Sequence, residues 1–257
     1  MALHFTENEF RQRQQAVCRS LNELGYDGLL VFRQESMYYL TGYDTSGYSM
    51  FQGMYVAADG KIVLLTRSAD RLQSAMTSVI KDIRIWEDRE GANPAEDLRE
   101  LMREYGAAGQ HVAVEYHAYG LTGQRARAVD AALEGFCTTG DGSDIVREVR
   151  LVKSEAELVY VRKAGEICDL GWQVAHEQSV PGVFLGTVYG NMMQVMLAAD
   201  GDPSASRWPM GAGEDALMVR YHTGNNHVAD DDQVTYEFAA AYRHYLSLIH
   251  ISEPTRH

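Results

Sequence analysis

Cysteine is scarce in this sequence, and long apolar runs are missing. Of the 257 residues only three are cysteine, namely Cys18, Cys137 and Cys168. They are odd in number and far apart, which argues against a disulfide framework or a zinc site and predicts a reducing, cytoplasmic compartment. No apolar run approaches the roughly 18 residues that a membrane span needs. The start of the chain becomes charged at once, unlike a secretory signal peptide.

An excess of positive charge is also missing. The chain has 23 Lys and Arg residues against 36 Asp and Glu residues, so its formal net charge is -13. Because phosphate groups bind to basic faces, this balance excludes nucleic acid and anionic membranes as predicted partners. The remaining composition, 46% hydrophobic and 23% charged, is that of a globular protein. The length allows one large domain or two of ordinary size.

Several common catalytic motifs do not occur. The sequence has no Gly-x-x-x-x-Gly-Lys-Ser/Thr loop, no complete Gly-x-Gly-x-x-Gly, no Gly-x-Ser-x-Gly elbow and no His-Cys-Cys pattern of the zinc deaminases. Gly211-Ala-Gly213 is only a fragment of a dinucleotide-binding loop, and no clean strand precedes it. These absences exclude kinases, P-loop proteins and simple dehydrogenases, and they argue against serine hydrolases of the elbow type.

The hydrophobic pattern of the first part predicts alternating strands and helices. A capping-box pattern at Thr6–Glu9 opens a helix that Gly25 ends. The apolar run Gly28–Phe32 predicts a strand, and the Asp59-Gly60 turn joins two further strands into a hairpin. The other predicted elements are helices at Ser36–Gly42, Ser68–Met76, Pro94–Tyr105 and Gly123–Leu133 and strands at Ile83–Trp86 and His111–Glu115. Residues 1–143 are therefore predicted to form an α/β domain with a mixed sheet.

The pattern changes after a turn-rich stretch, Thr138–Ser143. A second capping box, Ser154–Glu157, opens a long helix. The elements predicted from there on are helices at Ser154–Gln178 and Leu185–Ala199 and strands at Leu217–Tyr221 and Gln233–Ala241. The change of pattern predicts a domain boundary at 143/144.

The acidic and histidine residues of the second part are the candidates for chemistry. In Val234–Phe238, alternation places Glu237 on the face opposite the apolar residues. A carboxylate in that position can be a metal ligand or a general base, or it can be an ordinary solvated group. His222 and His227 likewise have two interpretations, because each can be a functional residue or a structural one. Asp230–Asp232 predicts a solvated turn, because a calcium loop would need further ligands and a glycine at fixed offsets.

Three stretches resemble the creatinase and Xaa-Pro aminopeptidase superfamily, whose catalytic domain has the pita-bread fold. They are Tyr38–Tyr43, an Arg-x-x-Arg-x-x-Lys-Ser-x-x-Glu run within Ile145–Glu157, and Val228–Tyr242, which is similar to the strand that carries the first metal-binding carboxylate. The resemblance covers the chain from Phe5 to Tyr245. It implies a creatinase-like N-terminal domain at 1–143 and an incomplete α+β pita-bread domain at 144–245.

The resemblance also assigns candidate site residues. Glu237 matches the first metal-ligand Asp, and its extra methylene moves the carboxylate about 1.5 Å outward. His222 matches a substrate-facing histidine, and the second ligand Asp would fall near Leu248. Two divalent metal ions are implied if the protein is peptidase-like, and no metal is implied if it is creatinase-like.

By this resemblance the parent protein is expected to hydrolyse a C–N bond in a small amide or a short peptide. The Glu237-Phe-Ala run followed by Arg243-His-Tyr245 is more like ectoine hydrolase than a typical aminopeptidase, which favours the ectoine hydrolase and creatinase branch. A metal-dependent Xaa-Pro aminopeptidase or prolidase is one alternative, and a non-catalytic binding protein on a degenerate fold is another. The resemblance also implies a homodimer.

Residues 246–257 are predicted to lie outside the natural protein. Leu246–Arg256 resembles the in-frame translation of a common transposon-type sequencing adapter, and such scars are set aside in fold reasoning. We therefore expect Tyr245 to be the last natural residue of this chain and not the end of the natural protein, with most of the family's catalytic residues beyond it and this truncated chain inactive by itself. His250 and His257 are given no functional weight.

Overall fold

The chain folds into two compact units, Met1–Val152 and Lys153–His257. A computed structural model describes residues 3–204, 208–218 and 226–252. Within these ranges every helix is too short or too polar to cross a membrane. Two hydrophobic clusters lie in the first unit and one in the second, so each unit has a core of its own.

The first unit is built on a mixed sheet of six strands. They are β1 (Gly28–Val31), β2 (Gly53–Ala57), β3 (Ile62–Arg67), β4 (Asp82–Trp86), β5 (His111–Val114) and β6 (Thr138–Asp141). Their order across the sheet is β4-β3-β2-β1-β5-β6. Strand β2 is antiparallel to both β1 and β3, whereas β3 pairs with β4, β1 with β5 and β5 with β6 in parallel. The predicted α/β class with a mixed sheet is confirmed.

Six helices accompany this sheet. They are α1 (Glu7–Leu24), α2 (Gln34–Thr41), α3 (Arg71–Thr77), α4 (Pro94–Glu104), α5 (Gly123–Leu133) and α6 (Ile145–Val149). The Thr6 hydroxyl accepts a hydrogen bond from the backbone N–H of Glu9 at 3.2 Å, which satisfies one of the free donors in the first turn of α1. A 3-10 turn at Ser68–Asp70 precedes α3.

The central strand β1 is buried on both faces and divides the core into two layers. Leu29 and Val31 belong to the cluster that includes side chains of α1 and α2. Leu30 and Phe32 belong to the opposite cluster, with side chains of α4 and α5. Because successive side chains of a strand point to opposite faces, an unbroken apolar run is what a sheet covered by helices on both sides requires.

Strand β6 was missed by the sequence prediction, which assigned Thr138–Ser143 to a turn. The strand pairs in parallel with β5, from His111 opposite Thr138 to Val114 opposite Asp141. It is an edge strand, and Thr138, Thr139 and Asp141 are exposed. A polar edge strand carries no hydrophobic alternation, so it has no signal in a pattern based on burial.

The boundary between the two compact units lies between residues 152 and 153, whereas the sequence pattern predicted a domain boundary between 143 and 144. Helix α6 accounts for the difference, because it packs against α1. Its residues Ile145 and Val146 are buried in the same cluster as Val17 and Leu21. The stretch just after 143 therefore completes the core of the first unit.

The second unit combines two helices with a small antiparallel sheet. Its elements are α7 (Glu155–Gln178), α8 (Leu185–Ala198), β7 (Met210–Ala212), β8 (Val234–Tyr242) and β9 (Tyr245–Ser252). The strand order is β7-β8-β9, which leaves β8 in the middle. Of the predicted strand Leu217–Tyr221, Leu217 instead closes a 3-10 turn, and 219–221 lie outside the described residues. The predicted α+β character of this part is confirmed.

Helix α7 packs very closely on β8 and α8. A Cβ atom at Gly171 would lie 2.8 Å from Sδ of Met196 and 3.1 Å from Cε2 of Phe238. Glycine lowers helix stability by about 1 kcal/mol relative to alanine. The close approach of Met196 and Phe238 therefore explains why Gly171 stands inside a 24-residue helix. It also leaves Phe238 only 1% exposed.

A buried carboxylate fixes the connection from β1 to α2. Glu115, directly after β5, is 1% exposed. Its Oε2 accepts the backbone N–H groups of Phe32 at 3.0 Å and Arg33 at 2.8 Å, and its Oε1 accepts the Ser36 hydroxyl at 2.5 Å. The residue before α2, Arg33, makes no side-chain cap, so Glu115 acts as a cap supplied from another strand. Burial raises the pKa of Glu115, and these hydrogen bonds oppose the shift.

Two substitutions of Glu115 should distinguish the contribution of its hydrogen bonds to stability from that of its charge. Glu115→Ala leaves three donors unsatisfied in a buried place and should cost about 3 kcal/mol of unfolding free energy. Glu115→Gln keeps an oxygen for the two backbone N–H groups and should cost about 1 kcal/mol. Urea-dependent hydrogen exchange of peptides from α2 and β5 measures both values. Equal losses in the two variants would contradict the capping role.

Candidate functional site

The candidate carboxylate Glu237 lies on β8, the central strand of the second unit. Tyr236 and Phe238 on either side of it are buried at 4% and 1% exposure, while Glu237 is half-buried. The predicted alternation along this strand is thus confirmed. The backbone N–H of Glu237 donates to the carbonyl of Pro209 at 2.9 Å, which fixes the strand at this point.

Small residues lie on either side of Glu237 along its face of β8. Thr235 and Ala239, two positions away on either side, share its face. Gly211 of β7 lies opposite Thr235 in the register. The Thr235 hydroxyl is buried and has no hydrogen-bond partner among the residues that the structure describes. This buried hydroxyl therefore lies on the same face of β8 as Glu237.

A tight turn joins β8 to β9 beyond Glu237. Tyr242 pairs with Tyr245, and the two residues between them, Arg243 and His244, have φ values of 50° and 68°. Positive φ at both central positions is the requirement of a type I′ hairpin turn, which Asn-Gly meets most easily. Neither Arg nor His favours this region, so the turn stores backbone strain.

Three contacts hold the strained turn in place. Arg243 Nη2 lies 3.1 Å from an Asp200 carboxylate oxygen, and its backbone N–H donates to the carboxylate of Asp202. On the other strand, the Tyr245 hydroxyl donates to Oε1 of Glu157 at 2.8 Å. Glu157 is 2% exposed, and its Oε2 also accepts the backbone N–H of Ser154 at 2.9 Å. One carboxylate thus caps α7 and anchors the hairpin.

Those predicted histidine and aspartate candidates that the structure describes do not gather around Glu237. His222 lies outside the described residues. His227 is exposed, and its ring centre is 5.2 Å from that of Phe184. Asp230 is exposed in a turn, and Asp232 Oδ2 accepts the backbone N–H of Ala229 at 2.8 Å, as the predicted solvated turn requires.

The described side chains do not fit a dinuclear metal site. Nowhere in 3–204, 208–218 and 226–252 do three His, Cys, Asp or Glu side chains gather in a way that could hold a metal ion. Leu248, at the place that the resemblance gives to a second carboxylate, is 55% exposed and has no donor atom. Glu237 by itself can accept a proton or orient a water molecule.

Strand β9 contains most of the segment that the sequence analysis set aside. It pairs with β8 from Tyr242 opposite Tyr245 to Thr235 opposite Ser252. Backbone pairing of this kind does not depend on side-chain identity. Leu246 and Leu248 are both 55% exposed, so these apolar side chains contribute little to the core. The adapter origin of 246–257 stays a prediction.

Comparison with known proteins identifies relatives of both units. A family model for the Creatinase/Prolidase N-terminal domain matches residues 13–152. The chain is 28% identical to an uncharacterized hydrolase/peptidase of Sinorhizobium fredii over 83% of its own length and 57% of that protein. It is 25% identical to an Xaa-Pro dipeptidase of Lactobacillus delbrueckii, over 88% and 61%.

The solved structures show the same fold. A dipeptidase of Pyrococcus horikoshii superimposes with a TM-score of 0.75 at 21% identity, covering 94% of this chain and 66% of that one. A prolidase of Thermococcus sibiricus gives 0.78 at 17% identity, with coverage of 96% and 66%. The chain therefore spans less than two thirds of the length of these relatives.

Relief of the strain in the β8–β9 turn should stabilise the second unit. In His244→Gly the residue with φ 68° no longer carries a Cβ, and we expect a gain of about 0.5–1 kcal/mol. Ala239→Gly, in the extended part of β8, is the matched control and should lose a similar amount. Hydrogen exchange of β8 amides in increasing urea measures both. A loss of stability in His244→Gly would show that the turn is not strained.

Proposed function

The chain belongs to the family of the creatinase/prolidase N-terminal domain, and on that premise we propose that its parent protein hydrolyses a C–N bond in a small substrate. The relatives reported above are named as hydrolases or peptidases, and two of those names specify prolyl substrates. A short Xaa-Pro peptide is therefore the first substrate class to test.

Glu237 is the observation that carries this proposal. It combines a carboxylate on one face of a central strand with a packed apolar face behind it, and its backbone is fixed by Pro209. A rigid element of this kind holds a carboxylate in position for proton transfer or for orienting a water molecule. The hydrolytic step would use Glu237 to accept a proton from the attacking water.

A second candidate is a metal-free hydrolase of a small amide, of the creatinase or ectoine hydrolase type. Glu in place of the family's Asp at 237, together with Arg243-His244-Tyr245, favours this branch. By the same resemblance we propose a cytoplasmic homodimer for the parent.

The source DNA beyond the codon for Tyr245 decides between the two candidates. A natural frame that continues with an Asp near position 248, and later with His and two Glu ligands, supports a metal-dependent peptidase. Its cleavage of an Xaa-Pro dipeptide should then stop in a chelator. A frame without those ligands supports the metal-free branch, and chelator-resistant hydrolysis of creatine-like or ectoine-like amides is expected. A natural frame that ends at His257, as the sequence is printed, contradicts the adapter prediction.

Substitution of Glu237 tests its role in that full-length parent. Glu237→Gln removes the proton acceptor without changing its size, and we expect kcat/KM to fall by about 10²–10⁴-fold. Glu237→Asp should retain more activity than Glu237→Gln. Glu166→Gln, at an exposed carboxylate that pairs with Lys163, is the control and should leave kcat/KM unchanged. Full activity in Glu237→Gln would exclude Glu237 from catalysis.

A further inference from the structure

Strand β9 forms one edge of the small sheet in the second unit. The strand order β7-β8-β9 gives it a single neighbour, β8, among the strands that the structure describes. It is eight residues long, and Tyr245–Ser252 contains no Asp, Glu, Lys, Arg, Pro or Gly. A long, uncharged edge strand of this kind is a template for pairing with another chain. This edge has no part in the function proposed for Glu237.

The other three edges of the two sheets have features that discourage such pairing. Strand β4 carries charges, since Nε of Arg84 lies 2.5 Å from Oδ1 of Asp82. Strand β6 is only four residues long and ends at the exposed Asp141. Strand β7 has three residues, and the turn after it lies so close that a Cβ atom at Gly211 would collide with the carbonyl of Asp215. Strand β9 has none of these features.

The register of the hairpin shows which backbone groups of β9 face away from β8. Tyr242 and Tyr245 flank a two-residue turn and lie opposite each other, so they form a hydrogen-bonded pair, and the two kinds of pair alternate from there. Leu246 and Leu248 therefore occupy the non-hydrogen-bonded positions. Their N–H and C=O groups point outward, and neither residue makes a hydrogen bond with another residue that the structure describes.

The side chains at the same two positions add an apolar surface to this edge. Leu246 and Leu248 are both 55% exposed. They share one face of the sheet, because they are two positions apart along a strand. Residues that lie opposite each other in an antiparallel pair also share a face. Two copies of β9 that pair through their outward groups therefore bring four leucines together, and each covers apolar surface of the others.

A second copy of the chain is the partner that this edge fits. Antiparallel pairing of a strand with itself is symmetric about a two-fold axis, so the outward N–H groups of one copy meet outward C=O groups of the other. The formal net charge of -13 makes two copies repel each other in general, but β9 itself brings no like charges together.

We propose that the chain as it stands forms a closed dimer by antiparallel pairing of β9 with β9 of a second copy. The pairing extends each small sheet from three strands to a continuous sheet of six. It rests on the edge of β9 alone, and not on the resemblance that implies a homodimer for the parent. It applies to this chain whatever the origin of residues 246–257.

Sedimentation velocity of the full chain at increasing concentration tests this association. A single pair of strands is a small interface, so we expect a monomer–dimer equilibrium with a Kd between about 1 μM and about 1 mM. The two-fold pairing uses up the edge of β9, so association should stop at two copies. A chain that stays monomeric up to about 1 mM, or that forms species larger than a dimer, overturns the proposal.

Hydrogen exchange identifies the edge that pairs. The amides of Leu246 and Leu248 face away from β8, whereas the amide of Ser247 faces β8 in the monomer and in the dimer. Exchange at the two leucines should be about tenfold slower once about nine tenths of the chains are dimeric, because only the monomer leaves these amides open. Exchange at Ser247 should not change. A dimer in which Leu246 and Leu248 still exchange at the monomer rate overturns the proposal.

Two substitutions and a matched control tie the association to this edge. Leu248→Lys puts a like charge on both copies where they pair, and Leu248→Pro removes an outward N–H but none of the bonds to β8. Kd should rise at least about tenfold in each variant. Leu72→Lys makes the same change at a leucine that is 70% exposed on α3 and should leave Kd unchanged.

Slow exchange at Ser247 shows that the hairpin of a variant is still folded. An unchanged Kd in Leu248→Lys and Leu248→Pro overturns the proposal, and so does an equal rise of Kd in Leu72→Lys. The exchange experiment on the unchanged chain does not depend on how well the variants fold.

Discussion

A β-strand turns successive side chains to opposite faces, and this constraint governs the candidate site. On β8 it commits Tyr236 and Phe238 to the core, so Glu237 has to face the other way. The close approach of α7 at Gly171 then locks Phe238 and with it the register of the strand. A slip by one residue would bury the carboxylate and expose the phenyl ring. The packing of the second unit therefore also determines the direction in which the Glu237 side chain points.

Local signals made much of the fold predictable. The second capping box was read correctly, because Ser154 and Glu157 are three residues apart and satisfy each other's backbone groups. The hairpin at Asp59-Gly60 and the buried strand β1 were also predicted correctly, because their signals likewise lie within a short run of sequence. The contact between Glu157 and Tyr245 joins residues 88 positions apart, so no pattern within a single helix or strand predicts it. The polar edge strand β6 was missed because its pairing uses backbone atoms only.

Only the part of the candidate site that lies within a single strand could be predicted from the sequence. Alternation located Glu237, and the structure confirms its orientation. Its partners cannot be read in the same way, since ligands of one site come from separate elements. His222 lies outside the described residues, and Leu248 supplies no donor. The chain also spans less than two thirds of the length of its relatives.

The cap that Glu115 supplies to α2 has a consequence for the order of folding. The carboxylate and the N–H group of Phe32 are 83 residues apart in the chain. Until β5 has paired with β1, the N–H groups of Phe32 and Arg33 just ahead of α2 lack this acceptor, and an eight-residue helix is too short to persist alone in water. We therefore expect α2 to form late in the folding of the first unit, after this contact of high sequence separation has been made.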